Sequence, residues 1–329
     1  MSRSRSAASP LLAFALSAAL AACSPSGAPS GEANATPAAA EAAVPAAPAA
    51  SEDARPFAIG TLQAVALRDG GITLPNDNKV FGVGRTPEEV AALLTAAGLP
   101  GDPLQVSLQP LLVRAGERVL LFDTGAGGSL GEGAGKLGAA LAAAGVAPGE
   151  VTDIFISHYH GDHTGGLLDA QGGPAFPNAT IHIAAAEWEH LRGLDPETAR
   201  SSLIGDHAAL VAAMTPKVAT FAPGAELVPG VVKAVSTTGH TPGHAAYLIG
   251  SGADTLLYVG DTMHHHVVSV QKPEWPIGFD GDAVAGAASR GALLEQAAGS
   301  GQRVYAVHFP FPGLGRIERR GEGYAWAAE

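Results

Sequence analysis

A short segment, His158-Tyr159-His160-Gly161-Asp162-His163, places four side chains that can bind metal within six residues. It follows the apolar, strand-like run Ile154-Phe155-Ile156, and Gly161 allows a tight turn. In α/β folds, ligands and catalytic groups lie in a crevice at the ends of strands. Imidazole and carboxylate groups together suit Zn²⁺ and its neighbours, with iron or manganese as alternatives. The segment therefore predicts a metal site at a strand end.

Three later residues also come directly after strand-like runs. They are His240 after residues 235–239, Asp261 after residues 258–260, and His308 after residues 304–307. Taken alone, each would be better explained as a hydrogen-bonded residue of the core or of a loop. Taken with the first segment, they give seven candidate ligands, which are enough for two metal ions.

Two glycine-rich motifs offer other chemistry. Gly127-Gly128-Ser129-Leu130-Gly131 matches the G-x-S-x-G pattern of serine hydrolases, in which the serine follows its strand immediately. Here residues 123–128 intervene, so we do not expect Ser129 to be a nucleophile. Gly133-Ala134-Gly135-Lys136-Leu137-Gly138 matches the dinucleotide pattern G-x-G-x-x-G, but it also lies well past the strand end. Neither motif predicts an active site.

The composition narrows the classes of protein that the chain can be. The 329 residues include 12 histidines but a single cysteine, and the formal net charge is −12. One cysteine excludes an internal disulfide framework and any cluster that needs several thiolates from one chain. The apolar fraction of 47% favours a well-filled core. The acidic balance disfavours nucleic acid as a partner, and we expect a small-molecule substrate.

The first residues have the pattern of an export signal. Arg3 and Arg5 precede the apolar run Leu11 to Ala22, which as a helix of about 18 Å is too short to cross a bilayer core of about 30 Å. Such a segment is typical of a secretory signal peptide. Leu20-Ala21-Ala22-Cys23 resembles the lipobox of bacterial lipoproteins, which implies an acylated Cys23 after cleavage. Ordinary cleavage beside an unmodified cysteine is the alternative.

The chain therefore divides into three parts. Residues 1–22 would be a lipoprotein signal peptide, and residues 23–56, rich in Ala and Pro, a flexible tether. Residues 57–329 would form one domain, in which strand and helix patterns interleave with hairpin-like pairs, as in an α/β sandwich of mixed sheets covered by helices. We expect the protein to be exported and held on the periplasmic side of a bacterial membrane by its N-terminal lipid alone.

Local patterns predict the elements of this domain. Thr86-Pro87-Glu88-Glu89, followed by apolar residues and Gly98, indicates a helix with an N-cap, a first-turn proline and a terminating glycine. Further helices are predicted over Lys136–Ala144, Pro196–Met214 and Ala283–Ala298. Strands are predicted over Leu104–Val113, Arg118–Phe122, Val151–Ser157, Thr180–Ile183, Val231–Ser236, Ala246–Ile249, Leu256–Val259 and Arg303–Val307.

Four motifs stand out in this chain: residues 158–163, the segment Gly239-His240-Thr241-Pro242-Gly243-His244, the pair Gly260-Asp261, and His308. Together, and in their spacing, they resemble the metallo-β-lactamase superfamily. Three segments are similar to the branch that contains methyl parathion hydrolase: Phe122-Asp123-Thr124-Gly125, Ala175-Phe176-Pro177-Asn178-Ala179 and residues 308–313. The resemblance implies an αββα sandwich with the metals at one edge, between the sheets.

The resemblance also implies a role for each candidate ligand. The first metal would be bound by His158, His160 and His240, the second by Asp162, His163 and His308, and Asp261 would bridge the two. His244 and Asp123 would lie behind the ligands and support them. We expect two divalent metal ions, zinc foremost, with manganese, iron or cobalt as alternatives.

This ligand set implies a hydrolytic mechanism. Two divalent ions close together lower the pKa of a shared water from about 15.7 towards 7 and polarise the electrophile. Asp162 and Asp261 would orient the resulting bridging hydroxide and accept its remaining proton. We therefore expect hydrolysis of an ester-like bond in a lactone, an aryl ester or a phosphotriester. The alternatives are a glyoxalase II-like thioesterase, a β-lactamase-type hydrolase and, outside enzymes, a metal-binding lipoprotein without turnover.

Aromatic residues close to the ligands in sequence are candidates for contact with substrate. Phe309 and Phe311 follow His308, and the run His264-His265-His266 leads into a segment with Trp275 and Phe279. Residues 264–282 would form either a lid over the metals or a surface loop with its apolar side packed inward.

Overall fold

The computed structural model describes residues 50–252 and 254–329, which contain two seven-stranded sheets. The first sheet comprises, in spatial order, β1 (Ala54–Ile59), β2 (Leu62–Leu67), β5 (Leu111–Ala115), β6 (Arg118–Phe122), β7 (Asp153–Phe155), β8 (Thr180–Ala184) and β9 (Val218–Phe221). The second comprises β10 (Glu226–Val228), β11 (Val232–Ser236), β12 (Ala245–Ser251), β13 (Asp254–Tyr258), β14 (Arg303–Tyr305), β15 (Leu314–Arg320) and β16 (Gly323–Ala328).

A small two-stranded sheet and several helices complete the described residues. The small sheet pairs β3 (Gly70–Leu74) with β4 (Leu104–Leu108), and α1 (Pro87–Ala96) packs against it. The capping box at Thr86 and Glu89 starts α1 as predicted. The other α-helices are α2 (Leu137–Ala143), α3 (Gly161–Thr164), α4 (Ala185–Arg192), α5 (Pro196–Ser201), α6 (His207–Met214), α7 (Val268–Gln271) and α8 (Ala283–Ser300).

Alternation along the strands explains the layers of the domain. In β6, Val119 and Leu121 pack against α2 and the helices after β8, whereas Leu120 and Phe122 pack between the two sheets. β13 alternates in the same way between the inter-sheet core and α8. Successive side chains of a strand point to opposite faces, so each sheet buries both of its faces. The result is an αββα sandwich, and this prediction is confirmed.

Each of two predicted elements is divided into two shorter elements in the structure. The run Leu104–Val113 forms two strands in different sheets, because β4 ends at Leu108 and β5 begins only after Pro110, which has no N–H to donate to a ladder. The helical run Pro196–Met214 divides into α5 and α6. Leu203 between them has a left-handed φ of 61°, which no α-helix can contain.

The N-terminal predictions fall mostly outside the described residues. Residues 1–49, which include the predicted signal peptide, Cys23 and most of the tether, are not among them. The tether was predicted to extend to residue 56, but β1 already begins at Ala54, because residues 54–59 pair antiparallel with β2. In the described part of the chain, no helix combines the length and the apolar character needed to cross a membrane.

Candidate metal centre

Two pairs of parallel strands bring the candidate ligands to one edge of the sandwich. In the first sheet, β6 and β7 run parallel with Phe122 beside Phe155, and the chain after β7 leads into His158. In the second sheet, β13 and β14 run parallel with Tyr258 beside Tyr305, and the chain continues to Asp261 and His308. The carboxyl ends of parallel strands lie at the same edge, so residues from distant parts of the chain meet there.

The first group of ligand atoms comes from His158, His160, His240 and Asp261. Nε2 of His240 lies 3.2 Å from Nε2 of His158 and 3.0 Å from Nδ1 of His160, and the latter two atoms are 3.0 Å apart. Oδ2 of Asp261 lies 3.4 Å from Nε2 of His240. Ligands of a tetrahedral zinc ion at its usual bond lengths are separated by about 3.3 Å. The four atoms therefore have the spacing of a zinc site.

The second group comes from Asp162, His163, Asp261 and His308. Oδ1 of Asp261 lies 3.1 Å from Nε2 of His163 and 2.9 Å from Nε2 of His308. Oδ2 of Asp162 lies 3.5 Å from Nε2 of His163 and 3.8 Å from Nε2 of His308. The structure thus brings all seven predicted ligands together, and Asp261 directs one oxygen to each group.

Several polar atoms at this edge are not satisfied by hydrogen bonds to one another, whereas bound cations would satisfy them. Nε2 of His163 and Oδ1 of Asp261 are buried and have no hydrogen-bond partner in the described structure. The three facing nitrogens of the first group cannot all be satisfied mutually, since a neutral imidazole has one donor and one acceptor. Buried polar groups are normally paired. Two divalent ions, one in each group, would satisfy these atoms.

Burial sets the protonation of the first group. It lowers the pKa of His160 and of His240 to about 3 and holds that of His158 well below its ordinary value. Desolvation disfavours the charged form of a histidine. These three imidazoles are therefore neutral near pH 7, which leaves a lone pair free to bind a metal.

In the second group the pKa values of the histidines are raised, because carboxylates surround them. Burial alone would lower the pKa of His163, but Asp261, Asp162 and Asp123 outweigh it and raise that pKa well above its ordinary value. Asp261 similarly raises the pKa of His308 against the effect of burial. In the metal-free protein, a proton on these histidines balances the negative charge of the surrounding carboxylates. A bound cation would take over this role.

Asp123 lies behind His163, as the sequence suggested. Its Oδ2 is 2.8 Å from Nδ1 of His163 and accepts hydrogen bonds from the hydroxyls of Tyr258 and Ser157, each at 2.7 Å. Its Oδ1 accepts the Ser157 N–H at 2.7 Å. The carboxylate therefore fixes the orientation of the His163 ring and the backbone just before His158.

His244 belongs to neither group of ligands. Its Nε2 accepts the backbone N–H of Asp261 at 2.9 Å, and its Nδ1 lies 2.8 Å from Oγ1 of Thr237. The ring therefore supports the chain at Asp261 from behind. Of the two histidines in the Gly239–His244 motif, only His240 points to the ligand atoms.

Asp280 and Arg290 are two buried residues that the sequence did not reveal. Oδ1 of Asp280 lies 3.2 Å from Nδ1 of His240, and Oδ2 lies 3.5 Å from Nη1 of Arg290. Arg290 also donates to the backbone carbonyls of Thr262, Pro273 and Trp275. No local motif marks either residue. The position of Asp280 just before α8 is the only sequence signal that could have drawn notice.

His264 is a further residue at the site without a predicted role. It is buried, its Nε2 lies 3.0 Å from Oδ2 of Asp261, and neither ring nitrogen has a hydrogen-bond partner in the described structure. The ring is stacked on that of His308, with centroids 5.4 Å apart, and it contacts Phe279. The run of three histidines after Asp261 was the available signal.

The predicted substrate-contacting aromatics divide into different environments. Phe309 is fully buried in the core beneath the second sheet, against Trp326, so its prediction as a pocket wall is wrong. Trp275 is also buried, in the core around α1, and this prediction is wrong as well. Phe311 packs at the edge of the inter-sheet core under the guanidinium of Arg68. Phe279 is 38% exposed and remains the candidate beside the ligands.

Residues 264–282 form a packed wall of the site. Within this segment α7 and Trp275 pack against α1, Ile277 forms a bridge with Phe81, and Arg290 holds the backbone from behind. Of the two alternatives for this segment, the structure favours a loop with its apolar side packed inward.

The serine of the G-x-S-x-G motif has no catalytic partner. The hydroxyl of Ser129 donates to the backbone carbonyl of Ala126 at 2.8 Å, and no histidine hydrogen-bonds to it in the described residues. The two ligand groups, and not Ser129, are therefore the candidate catalytic site.

Comparison with known proteins gives the family. The model of the metallo-β-lactamase superfamily matches residues 110–318, more than half of the chain. No curated protein sequence matches the chain significantly. A solved structure described as AidC, a dizinc quorum-quenching lactonase in complex with a product, is 29% identical, with a TM-score of 0.78, and the match covers 84% of this chain and 97% of that one.

Two further structures show the same fold. One, hydrolase AbOPH in the β-lactamase superfamily, is 26% identical with a TM-score of 0.75, over 85% of this chain and 99% of that one. A probable metal-dependent hydrolase from Staphylococcus aureus is 20% identical with a TM-score of 0.68, over 83% and 99%. Taken with the two ligand groups, these matches show that the chain belongs to the metallo-β-lactamase superfamily and is a metal-dependent hydrolase.

Proposed function

We propose that this protein hydrolyses a lactone or a related ester at a dinuclear zinc centre. The observation that carries the proposal is the pair of ligand groups joined by Asp261, with one carboxylate oxygen directed to each. The similarity to a dizinc lactonase at 29% identity supports both the number of metals and the class of bond. The ligand atoms are imidazole nitrogens and carboxylate oxygens, which suit zinc.

The ligands and their neighbours would share the work of the reaction. Divalent ions bound here would supply a water of lowered pKa and would polarise the oxygen of the scissile bond. Asp162 and Asp261 would orient the attacking water and accept its proton. His264 and Phe279 lie at the same edge, where they would contact the substrate.

Charge at the site favours a neutral substrate. In the described residues, no Lys or Arg forms an ion pair with any of the seven ligands, and Arg290 is paired with Asp280 behind His240. Among the described residues, no ion pair between a basic side chain and a ligand marks an anchor for a strongly anionic substrate beyond the metals themselves. Uncharged lactones and aryl esters therefore fit better than polyanions.

Membership of the branch that contains methyl parathion hydrolase is a further part of the proposal. It rests on the three sequence segments that resemble this branch. It predicts measurable turnover of neutral phosphotriesters as well as of lactones.

Export and lipid anchoring at Cys23 are proposed on the sequence alone. Expressed in a bacterium with its own N-terminus, the protein would enter the membrane fraction on the periplasmic side. The variant Cys23→Ala would be recovered from the soluble periplasmic fraction. A variant that stayed with the membrane would contradict the proposal.

One experiment tests the hydrolytic function. The purified protein is analysed for metal and assayed on a panel of lactones, aryl esters, phosphotriesters and β-lactams, before and after chelation and on restoring Zn²⁺. We expect about two zinc ions per chain and turnover of lactones or aryl esters that chelation abolishes and zinc restores. Tight zinc binding without turnover of any panel member would favour a metal-binding lipoprotein, and turnover that survives chelation would refute the mechanism.

A further inference from the structure

Glu187 is a fully buried carboxylate that lies outside both ligand groups. It belongs to α4, which is held in place by Trp188 and Leu191 in the core between this helix and the first sheet. In the part of the chain that the structure describes, no Lys, Arg or His forms an ion pair with Glu187. A buried carboxylate without a counter-charge is unfavourable unless hydrogen-bond donors surround it.

Three donors compensate the burial of this carboxylate. Oε1 accepts the backbone N–H of Tyr159 at 2.8 Å. Oε2 accepts the hydroxyl of Thr241 at 2.9 Å and the backbone N–H of Gly243 at 2.7 Å. Desolvation nonetheless raises the pKa of Glu187 to about 7, against the effect of these hydrogen bonds. The position is therefore energetically unfavourable for a carboxylate, although both of its oxygens accept hydrogen bonds.

The three donors lie in the two loops that supply the histidines of the first group. Tyr159 stands between His158 and His160, and Thr241 directly follows His240. The loop after His240 also contacts α4 closely, since a side chain on Gly243 would meet the backbone nitrogen of Glu187 at 2.4 Å. Glu187 is thus the hydrogen-bonded link through which one helix holds both loops at a fixed separation.

The second group is held by other residues. The backbone carbonyl of His163 accepts from the N–H and the hydroxyl of Thr124, and its ring is bonded to Asp123. Nδ1 of His308 lies 2.8 Å from the backbone carbonyl of Ser107. None of these contacts passes through α4. The turn of Tyr159 and His160 does bond to Thr164 and to the N–H of His163, but the His163 ring is fixed by Asp123, so a change at Glu187 should act mainly on the first group.

We propose that Glu187 is a positioning residue that fixes the three histidines of the first group and so sets the affinity of that site for its metal. This inference rests on the proposed dinuclear centre and adds to it a residue that touches neither metal nor substrate. Groups that orient metal ligands from behind typically change metal affinity by about 10- to 100-fold when they are replaced. The carboxylate has the right chemistry because all three of its partners are donors, and an amide would turn an N–H towards one of them.

The test separates the two sites by removing one ligand at a time in the full chain. His308→Ala leaves the first group complete, and His240→Ala leaves the second complete. Glu187→Gln is added to each background, and Zn²⁺ affinity is measured by competition with a chromogenic chelator. We expect affinity to fall by about 10- to 100-fold in the His308→Ala background and by less than about 2-fold in the His240→Ala background.

A matched control is available on the same helix. Glu189 is exposed and, in the part of the chain that the structure describes, forms its ion pair with Arg192, so Glu189→Gln makes the same chemical change two residues away and should alter neither affinity. An equal loss of affinity in both backgrounds, or no loss in either, would overturn the proposal. Because the readout is metal binding, inactivity on every substrate would count against the proposed function without affecting this inference.

A second variant tests the role of Glu187 if Glu187→Gln does not fold. Thr241→Val keeps the shape of the side chain and removes only the hydroxyl that donates to Oε2. Circular dichroism of the metal-free variant establishes that it is folded. The same selective loss of affinity for the first site is expected, and Thr241→Ser, which keeps the hydroxyl, should restore it. Failure of the serine variant to bind better than the valine variant would contradict the role assigned to Glu187.

Discussion

Nδ1 of His240 lies 3.2 Å from Oδ1 of Asp280, and the other oxygen of that carboxylate lies 3.5 Å from the buried guanidinium of Arg290. Nε2 of the same ring faces His158 and His160. A carboxylate behind a ligand histidine fixes both the tautomer and the direction of the ring. Asp280, itself held by Arg290 of α8, therefore orients the His240 ring of the first group.

Replacing Asp280 should weaken the first metal site. Asp280→Asn keeps the volume but loses the negative charge that favours a proton on Nδ1 of His240, so we expect zinc affinity at one site to fall by about 10-fold. Zinc titration with a competing chelator measures this. Asp282→Asn is the matched control, because an asparagine can still cap α8 in place of the aspartate. Unchanged affinity in Asp280→Asn would argue against an orienting role.

Replacing Asp261 should remove more zinc from the protein than replacing His308. Asp261 contributes to both groups, whereas His308 contributes only to the second. We expect Asp261→Asn to lower zinc content from about two ions per chain to well below one, and His308→Ala to leave about one. Elemental analysis of the dialysed proteins gives the ratio directly. Equal zinc content in the two variants would show that Asp261 does not bridge.

Of the three phenylalanines expected to contact substrate, Phe309 and Phe279 should respond differently to replacement. Phe309 is fully buried, so Phe309→Ala should lower the free energy of unfolding by about 3–5 kcal/mol. Phe279 is partly exposed beside His264, so Phe279→Ala should change stability by less than about 1 kcal/mol. Its effect should instead be a raised KM for the substrates that the wild type hydrolyses. Urea unfolding and steady-state kinetics of both variants test this contrast.

The metal-free protein should lose stability in mild acid. Burial lowers the pKa of His160, His240, His244 and His265 from about 6.5 to about 3. Between these values the unfolded chain binds protons that the folded protein does not, so stability falls as pH decreases, by about 1 kcal/mol per pH unit for each such histidine. His163 and His308 have raised pKa values, and their contribution is lost only as pH rises above about 6.5.

Urea unfolding of the chelator-treated protein between pH 7 and pH 4.5 measures this dependence. A free energy of unfolding that stayed constant or rose as the pH was lowered would show that these histidines are not buried and neutral. His265→Gln should reduce the slope without removing a ligand, because His265 lies outside both ligand groups.

The sequence was most informative where function depends on residues adjacent in the chain. The segment 158–163 carries four ligands because one turn after a strand can direct them to a single point, and this needs no knowledge of the remaining fold. His240, Asp261 and His308 could be selected because each follows a strand. Element boundaries were less secure: residues 104–113 have a continuous apolar pattern, yet Pro110 divides them between two sheets.

The aromatic residues show where sequence distance is a poor guide. Phe309 is next to a ligand in the chain, but its side chain packs in the core between the second sheet and α8, whereas the His308 ring lies among the ligand atoms. Trp275 is buried because α1 and its small sheet, which lie far away in the sequence, cover it. Burial depends on what packs against a residue from elsewhere, and no local pattern contains that information.

The sequence by itself determined the identities of the seven candidate ligands, because strand-end motifs are local and residue types indicate their chemistry. The superfamily and the αββα class were implied by the resemblance that these motifs carry. The resemblance also implied how these ligands divide between two metals and that His244 lies behind them. Only the tertiary structure decided that His244 accepts the backbone N–H of Asp261, that Asp280 and Arg290 lie behind His240, and that Glu187 bonds to the loops that carry the first histidines. These supporting residues act across tens of positions through contacts that exist only after helices have packed on the sheets.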